Sequence, residues 1–262
     1  MIEALAVIAG LLAGSFLNVC IWRLPRDLSV VRPRSLCPRC RNPIAWFDNI
    51  PVVSFALLGG KCRHCRARIP IRYPAVELLT AALFWAAVRM HGASPAALKL
   101  GLFAALLVGL IFADLEQRIL PDEFTLGGLG AGLAFAALVP VEPGLVSLFL
   151  AGAHPRLASL TEAAAGAAFC AGGIWLVGQL YYLIRRREGL GLGDVKMLGM
   201  IGAFLGLRQT LLVMLLGSLI GSVIGLLYIR LARKDAATYE LPYGTFLGIA
   251  ALAVSYLSAS LP

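Results

Sequence analysis

Between Ile2 and Leu257 the chain returns repeatedly to apolar stretches that approach or exceed the roughly 18 to 20 residues needed to cross a hydrocarbon core of about 30 Å. With 60% of its 262 residues hydrophobic, 14% charged and a mean hydropathy of +0.84, it lies far outside the composition of soluble domains. Inside lipid every backbone N–H and C=O has to be paired within the protein, which leaves helices or a closed barrel. The runs show none of the alternation of barrel strands. The expected fold is therefore all-α: a polytopic transmembrane helical bundle of about eight spans, with one small cytoplasmic domain between spans one and two.

Charge orients this bundle. The first run, Ile2 to Val19, lacks the basic start and small-residue cleavage site of a signal peptide and is expected to be retained as a span. Eleven of the 23 Lys and Arg residues fall between Arg23 and Arg72, beside only two acids, Asp27 and Asp48. The positive-inside rule places that loop in the cytoplasm and the N-terminus outside. Runs near 73–88, 96–113, 123–139 and 162–184 then alternate in direction, and the RRR cluster at 185–187 marks another cytoplasmic end. Residues 140–160, with Pro140, Pro143 and Pro155, read as an external linker with room for a surface helix around GLVSLFLAG. The stretch 195–207 is short, about 20 Å of helix. If it crosses, the RLARK cluster after 210–228 falls inside, as the rule requires, and 243–257 exits last. Both termini are then external. The domains expected are 1–22, a first span; 23–72, a basic cytoplasmic loop; and 73–262, the remaining helices. The formal charge of +9 serves orientation against the lipid bilayer, and no nucleic-acid partner is implied.

Within the loop, CPRC (Cys37, Cys40) and CRHC (Cys62, Cys65) are two C-x-x-C pairs separated by 21 residues. Each pair can form a zinc knuckle, and two knuckles complete a tetrahedral thiolate site. The gap slightly exceeds the usual ~15 to 20 residues and leaves room for the excursion AWFDNIPVVSFALLGG. A reducing cytoplasm works against structural disulfides, and a redox pair usually comes alone. Four thiolates leave no position open for water, so the zinc is expected to be structural. His64 reads as a solvated loop residue, and Cys20 and Cys170, in apolar runs, as small core residues.

Acids in or beside membrane spans are rare and are candidates for function. Here they are Glu77, Asp114, Glu116, Asp122, Glu123, Glu162 and Asp194. Asp114 ends an inward-running helix and Asp194 begins an outward-running one, so both are expected near the cytoplasmic surface at a similar depth. Two aspartates sharing one proton divide the labour, one activating water as a base and the other protonating a leaving group as an acid. Glycines at 189, 191 and 193 remove side chains around Asp194 and give room for a peptide backbone. Taken singly, Asp194 also reads as a helix N-cap and Asp114 as an interfacial acid paired with Arg118. Glu77 reads equally as a helix-packing hydrogen bonder, Asp122 and Glu123 as first-turn acids, and Lys196 as a neighbour that tunes Asp194 or snorkels to the interface.

Taken in order, GSFLNVCIWRLPR, the paired C-x-x-C motifs, RYPAVELL, DLEQRILPDEFT, GLGLGDVKML and LPYGTFLG resemble the bacterial type IV prepilin peptidases, from about Gly14 to Gly248. The resemblance implies an aspartic endopeptidase of the bacterial inner membrane. Such an enzyme cuts the short basic leader from prepilins and pseudopilins after a glycine, at the cytoplasmic face, with Asp114 and Asp194 as the catalytic pair. It implies, too, that the new N-terminal amine is methylated with S-adenosylmethionine. No dinucleotide-type fingerprint is present, so the methyl donor has no assigned residues. Two other classes compete. A proton-coupled transporter would use the same aspartates as a relay but calls for inverted repeats and deeper acids, and neither is found. A membrane-anchored zinc-binding interaction protein would lack catalysis altogether.

Overall fold

The computed structural model describes every residue except 147, 148, 150, 151, 153, 187–190, 233–240, 261 and 262. The surface helix expected around GLVSLFLAG, the last arginine of RRR, the first two residues of GLGLGDVKML and the end of RLARK thus lie wholly or partly outside the described residues. Among those described, the regular elements are helices: α1 (Ile2–Arg23), α2 (Val53–Leu57), α3 (Arg72–His91), α4 (Pro95–Gln117), α5 (Asp122–Leu138), α6 (Pro155–Arg185), α7 (Leu192–Leu231) and α8 (Tyr243–Ser260). No strand forms among them. The β-type pairing is confined to two isolated antiparallel bridges, Leu36 with Pro43 and Lys61 with Arg68. Four helices, α1, α4, α6 and α7, are long and apolar enough to cross a membrane. The chain divides into two compact units, Met1–Gly109 and Leu110–Pro262.

In the first unit α1 packs along α3 through glycines. A Cβ at Gly10 would lie 2.5 Å from the Cα of Ala81, and one at Gly14 would lie 2.6 Å from the Cα of Glu77. Helices in lipid gain little from hydrophobic transfer and associate by close van der Waals fit, which small residues permit. The polar ends are satisfied locally. Asn18 donates from Nδ2 to the Tyr73 carbonyl at 3.0 Å. Arg23, buried at the end of α1, donates to the Ser29 and Pro33 carbonyls at 2.8 Å each. The first basic residue of the loop therefore organises backbone rather than facing water.

The two cysteine pairs fold alike. In each, the first cysteine donates its N–H across a tight turn, Cys37 to the Asn42 carbonyl at 3.0 Å and Cys62 to the Ala67 carbonyl at 2.8 Å. In each, the residue after the second cysteine, Arg41 or Arg66, turns left-handed at φ 58° or 56° and donates back to the first. The excursion between them holds a short 3-10 turn, Trp46–Asn49, and α2. Ser54 donates to the Phe47 carbonyl at 2.7 Å, and Arg63 grips both oxygens of Asp48 at 2.7 and 2.6 Å. That bidentate bond holds the Asp48 carboxyl below its usual range.

In the second unit, α6 begins well before the expected 162. Pro155 is the first helical residue, where its missing N–H costs nothing, and His154 caps the helix by accepting the Arg156 N–H through Nδ1 at 3.3 Å. Pro155 therefore opens a helix instead of belonging to a linker. At about 1.5 Å per residue, α7 would be twice as long as a hydrocarbon core is thick, but Gly206 breaks it at φ 78°, ψ 178°, a conformation open essentially to glycine alone. Contacts along its length show how the two halves run. Lys196 pairs with Asp122 and Gly193 abuts Leu120, whereas Gly206 abuts Glu162 near the start of α6. Further on, Gly217 meets Leu247 in α8 and Gly225 meets Leu241, two residues before α8 begins. The second half thus returns toward the end at which the first began, antiparallel to α8. The first half is held against α6 at its tightest point: a Cβ on Gly202 would collide with the Gly166 backbone, and one on Gly166 would lie 2.6 Å from the Gly206 carbonyl carbon.

Candidate functional site

The second unit brings Asp114 and Asp194 together from two helix ends. Asp114 occupies the last turn of α4 and is 5% exposed. Its Oδ2 accepts the Thr245 backbone N–H at 2.7 Å and the Thr245 hydroxyl at 2.8 Å. The reason is local. Thr245 lies in the first turn of α8, whose N–H groups have no partner within the helix, and the carboxylate supplies one from another helix. Arg118 also attends Asp114, donating from its guanidinium and its backbone N–H to the Asp114 main-chain carbonyl. Thr245 belongs to the quoted LPYGTFLG motif, but nothing local marks it as the partner of a residue 131 positions earlier.

Asp194 lies in the first turn of α7 and is partly buried. The N-cap is Gly191, so Asp194 does not take that position. It stands within reach of like-charge repulsion from Asp114, and Tyr243 is within electrostatic reach of Asp194. The Tyr243 hydroxyl shares a hydrogen bond with Ser218 at 3.0 Å. Leu120 wedges into this end of the unit: a Cβ on Gly193 would meet it at 3.1 Å and one on Gly244 at 3.0 Å. The room expected beside Gly193 for a substrate is thus filled by the chain's own leucine, while Gly189 lies outside the described residues. Lys196 does not pair with Asp194. Its Nζ bonds both Asp122 oxygens at 2.7 and 2.9 Å and ties the first turn of α5 to that of α7.

The other buried acids hold loops. Glu77 accepts the Val52 N–H at 2.8 Å, and Glu162 accepts the Val146 N–H at 3.1 Å. Val52 sits at φ 61°, ψ −47°, a conformation that costs a β-branched residue on the order of 1–3 kcal/mol.

The four loop cysteines converge in the first unit, with their sulfurs all within 4.8 Å of one another and none in a disulfide. Cys37 lies 3.8 Å from Cys65, and Cys40 lies 4.0 Å from Cys62. A tetrahedron of bonds of about 2.3 Å to one zinc puts sulfurs about 3.8 Å apart, so the cluster has the size the metal needs. Backbone N–H groups of Cys65 and His64 pull the Cys62 thiol down to about 6. The Asn42 N–H draws Cys40 down as well, but desolvation and the neighbouring sulfurs outweigh it and leave Cys40 at about 11. Four crowded thiols cannot all ionise alone, and a divalent cation removes the conflict.

Residues 8–91 match the bacterial peptidase A24 N-terminal domain, and residues 100–226 match the type IV leader peptidase family. The chain is 39% identical to the prepilin leader peptidase/N-methyltransferase of Myxococcus xanthus, over 90% of its own length and 67% of the relative's. It belongs to the type IV leader peptidase family. To the enzyme of the same name in Pseudomonas aeruginosa it is 34% identical, over 93% of this chain and 86% of that one. To the leader peptide-processing enzyme of type 4 prepilin-like proteins in Escherichia coli it is 34% identical, over 97% and 94%. No solved structure matches it. As a member of the leader peptidase family, the chain carries all four cysteines and Glu77 within the N-terminal domain match, and Asp114 and Asp194 within the peptidase match. Thr245 lies beyond the peptidase match.

Proposed function

We propose that this protein is a membrane aspartic endopeptidase that removes the short basic leader from prepilins and pseudopilins after a glycine, and methylates the newly exposed amine with S-adenosylmethionine. The observation that carries the reading is the convergence of Asp114 and Asp194, from two helix ends, in a member of the leader peptidase family. In this mechanism one ionised aspartate takes a proton from water as its oxygen adds to the glycine carbonyl. The other, protonated, gives its proton to the leaving nitrogen as the C–N bond breaks. Thr245 anchors Oδ2 of Asp114, and Oδ1 is the oxygen that this mechanism uses. Replacing Thr245 with Val keeps the backbone donor and removes the hydroxyl. A bond to a charged group contributes about 1.5–3 kcal/mol, so cleavage is expected to slow roughly 10- to 100-fold with binding of the prepilin little changed. Initial rates over a range of prepilin concentrations check this.

Cys37, Cys40, Cys62 and Cys65 hold one structural zinc in the loop domain 23–72, between the first crossing at 1–22 and the helices of 73–262. The eight crossings are α1, α3, α4, α5, α6, the two halves of α7 and α8, in the bacterial inner membrane, with both termini periplasmic and the aspartates at the cytoplasmic face. The break at Gly206 supports two crossings where the sequence of α7 is continuous. The test is a mass measurement on a prepilin added to inner-membrane vesicles, with and without S-adenosylmethionine. Cleavage is expected in inverted vesicles and not in sealed right-side-out ones, with a further 14 Da on the product only when the donor is present, the mass of one CH2 by elementary stoichiometry. Prepilin left intact in inverted vesicles sinks the reading.

A further inference from the structure

Leu120 stands where the helix ends that carry the two aspartates meet, and the proton transfers between them give it no task. Glycine packs its side chain from two directions. A Cβ on Gly193, the residue before Asp194, would lie 3.1 Å from the Leu120 Cβ. One on Gly244, the residue before Thr245, would lie 3.0 Å from the Leu120 Cδ1. That same point beside Gly244 is 3.3 Å from Oδ2 of Asp114, so the leucine methyls and the carboxyl border one space. Neither glycine could carry even a methyl group without pushing the leucine aside.

The backbone fixes the leucine in this place. It lies in the turn 118–121 between α4 and α5. The proline that follows confines Leu120 to extended conformations, and the Pro121 carbonyl accepts the Phe124 and Thr125 N–H groups as α5 begins. On the near side Arg118, at φ 57°, returns its N–H to the Asp114 carbonyl at 3.0 Å. Beyond the proline, Lys196 holds Asp122. A side chain delivered between two such anchors forms a wall and not a lid. Leu120 is half-buried, which leaves part of its apolar surface for a docked chain to cover.

To be cut by an aspartate pair, a peptide must bring its carbonyl carbon between the two carboxyls. The Cα before the cut is bonded to that carbon at about 1.5 Å, so any side chain it carries enters the same space. Glycine carries none. Every other residue brings a Cβ toward the leucine, and in close-packed surroundings an overlap of one methyl group is felt.

We propose that Leu120 restricts cleavage to the bond after a glycine by filling the space that a Cβ on that residue would need; this rests on the peptidase half of the proposed function. Leu120 takes no part in proton transfer and determines only which residue can be presented. Gly193 and Gly244 serve it by letting its side chain come close to the carboxyls.

The test compares kcat/KM of the full-length protein in nanodiscs on two prepilins that differ only in glycine or alanine before the cut. One methyl group in an apolar site discriminates by about 10- to 200-fold, and the unaltered protein is expected to favour glycine by at least that. Leu120→Ala is expected to lower the ratio at least tenfold, whereas Leu120→Met, which nearly conserves volume, keeps it. A ratio is not moved by the fraction of protein that is folded. Where Leu120→Ala cuts neither prepilin, the milder truncation Leu120→Val is read in the same way. An unchanged ratio in the truncated variant overturns the proposal, as does an equal fall in Leu120→Met, the mark of general loosening. Loss of all cleavage in both truncations also overturns it, because the leucine then serves the fold of the site. So does unaltered protein that cuts both prepilins equally. Unaltered protein that leaves the glycine prepilin intact overturns the peptidase reading instead, a result seen before any variant is made.

Discussion

Asp114→Asn and Asp194→Asn each lower leader cleavage by at least about a thousand-fold, near the upper part of the range for loss of a general acid or base. Asparagine has the shape of aspartate and its side-chain oxygen still accepts from the Thr245 N–H and hydroxyl, so the contact between α4 and α8 survives in Asp114→Asn. What disappears is the ability to take up and release a proton. Because the two carboxylates act on one water and one leaving group, the double variant is expected to be hardly worse than either single one, the non-additivity of groups that work as a unit. The measurement is the time course of processed product by mass spectrometry, with zinc content as the check on folding. A tenth or more of the original rate in either single variant removes that aspartate from the chemistry.

The second large effect is expected at the cysteine cluster. Replacing Cys37 and Cys62 together with Ser lowers bound zinc from about one per chain to near none and opens the loop to trypsin at Arg39, Arg41 and Arg66, which are already exposed. Among its described elements the loop has two isolated bridges, one at each knuckle, two short 3-10 turns and one five-residue helix, too little regular structure to hold itself together. In such a fold the metal-binding free energy, about 10–16 kcal/mol for structural zinc, is the folding free energy. Elemental analysis and limited proteolysis read the two consequences separately. A protein purified under reducing conditions that holds no metal, yet resists trypsin in the loop, would rule out a structural zinc.

Much of this was visible without coordinates. The apolar runs specified helices, and the expectation that they alternate in direction put Asp114 and Asp194 at one end, where the second unit has them within electrostatic reach. The spacing of the cysteines specified their convergence, because two knuckles close on one centre whatever the excursion between them does. The stretch 195–207 was legible as a short element set apart from 210–228, and the break falls at Gly206, near its end. These features follow from local composition, period and charge, which a chain carries along its length.

The tertiary structure decided the rest. Thr245 reaches Asp114 across 131 residues because α8 starts beside the end of α4 with N–H groups to satisfy. Lys196 serves Asp122 instead of Asp194, since the first turns of α5 and α7 lie side by side. Leu120 occupies the space left by Gly193, and Glu77 crosses from α3 to hold the strained turn at Val52. Each of these depends on which helix end lies next to which backbone group. A sequence states the identity of a polar side chain and the face it occupies, but its partner is set by packing between segments far apart in the chain, where an unpaired buried group is too costly to leave.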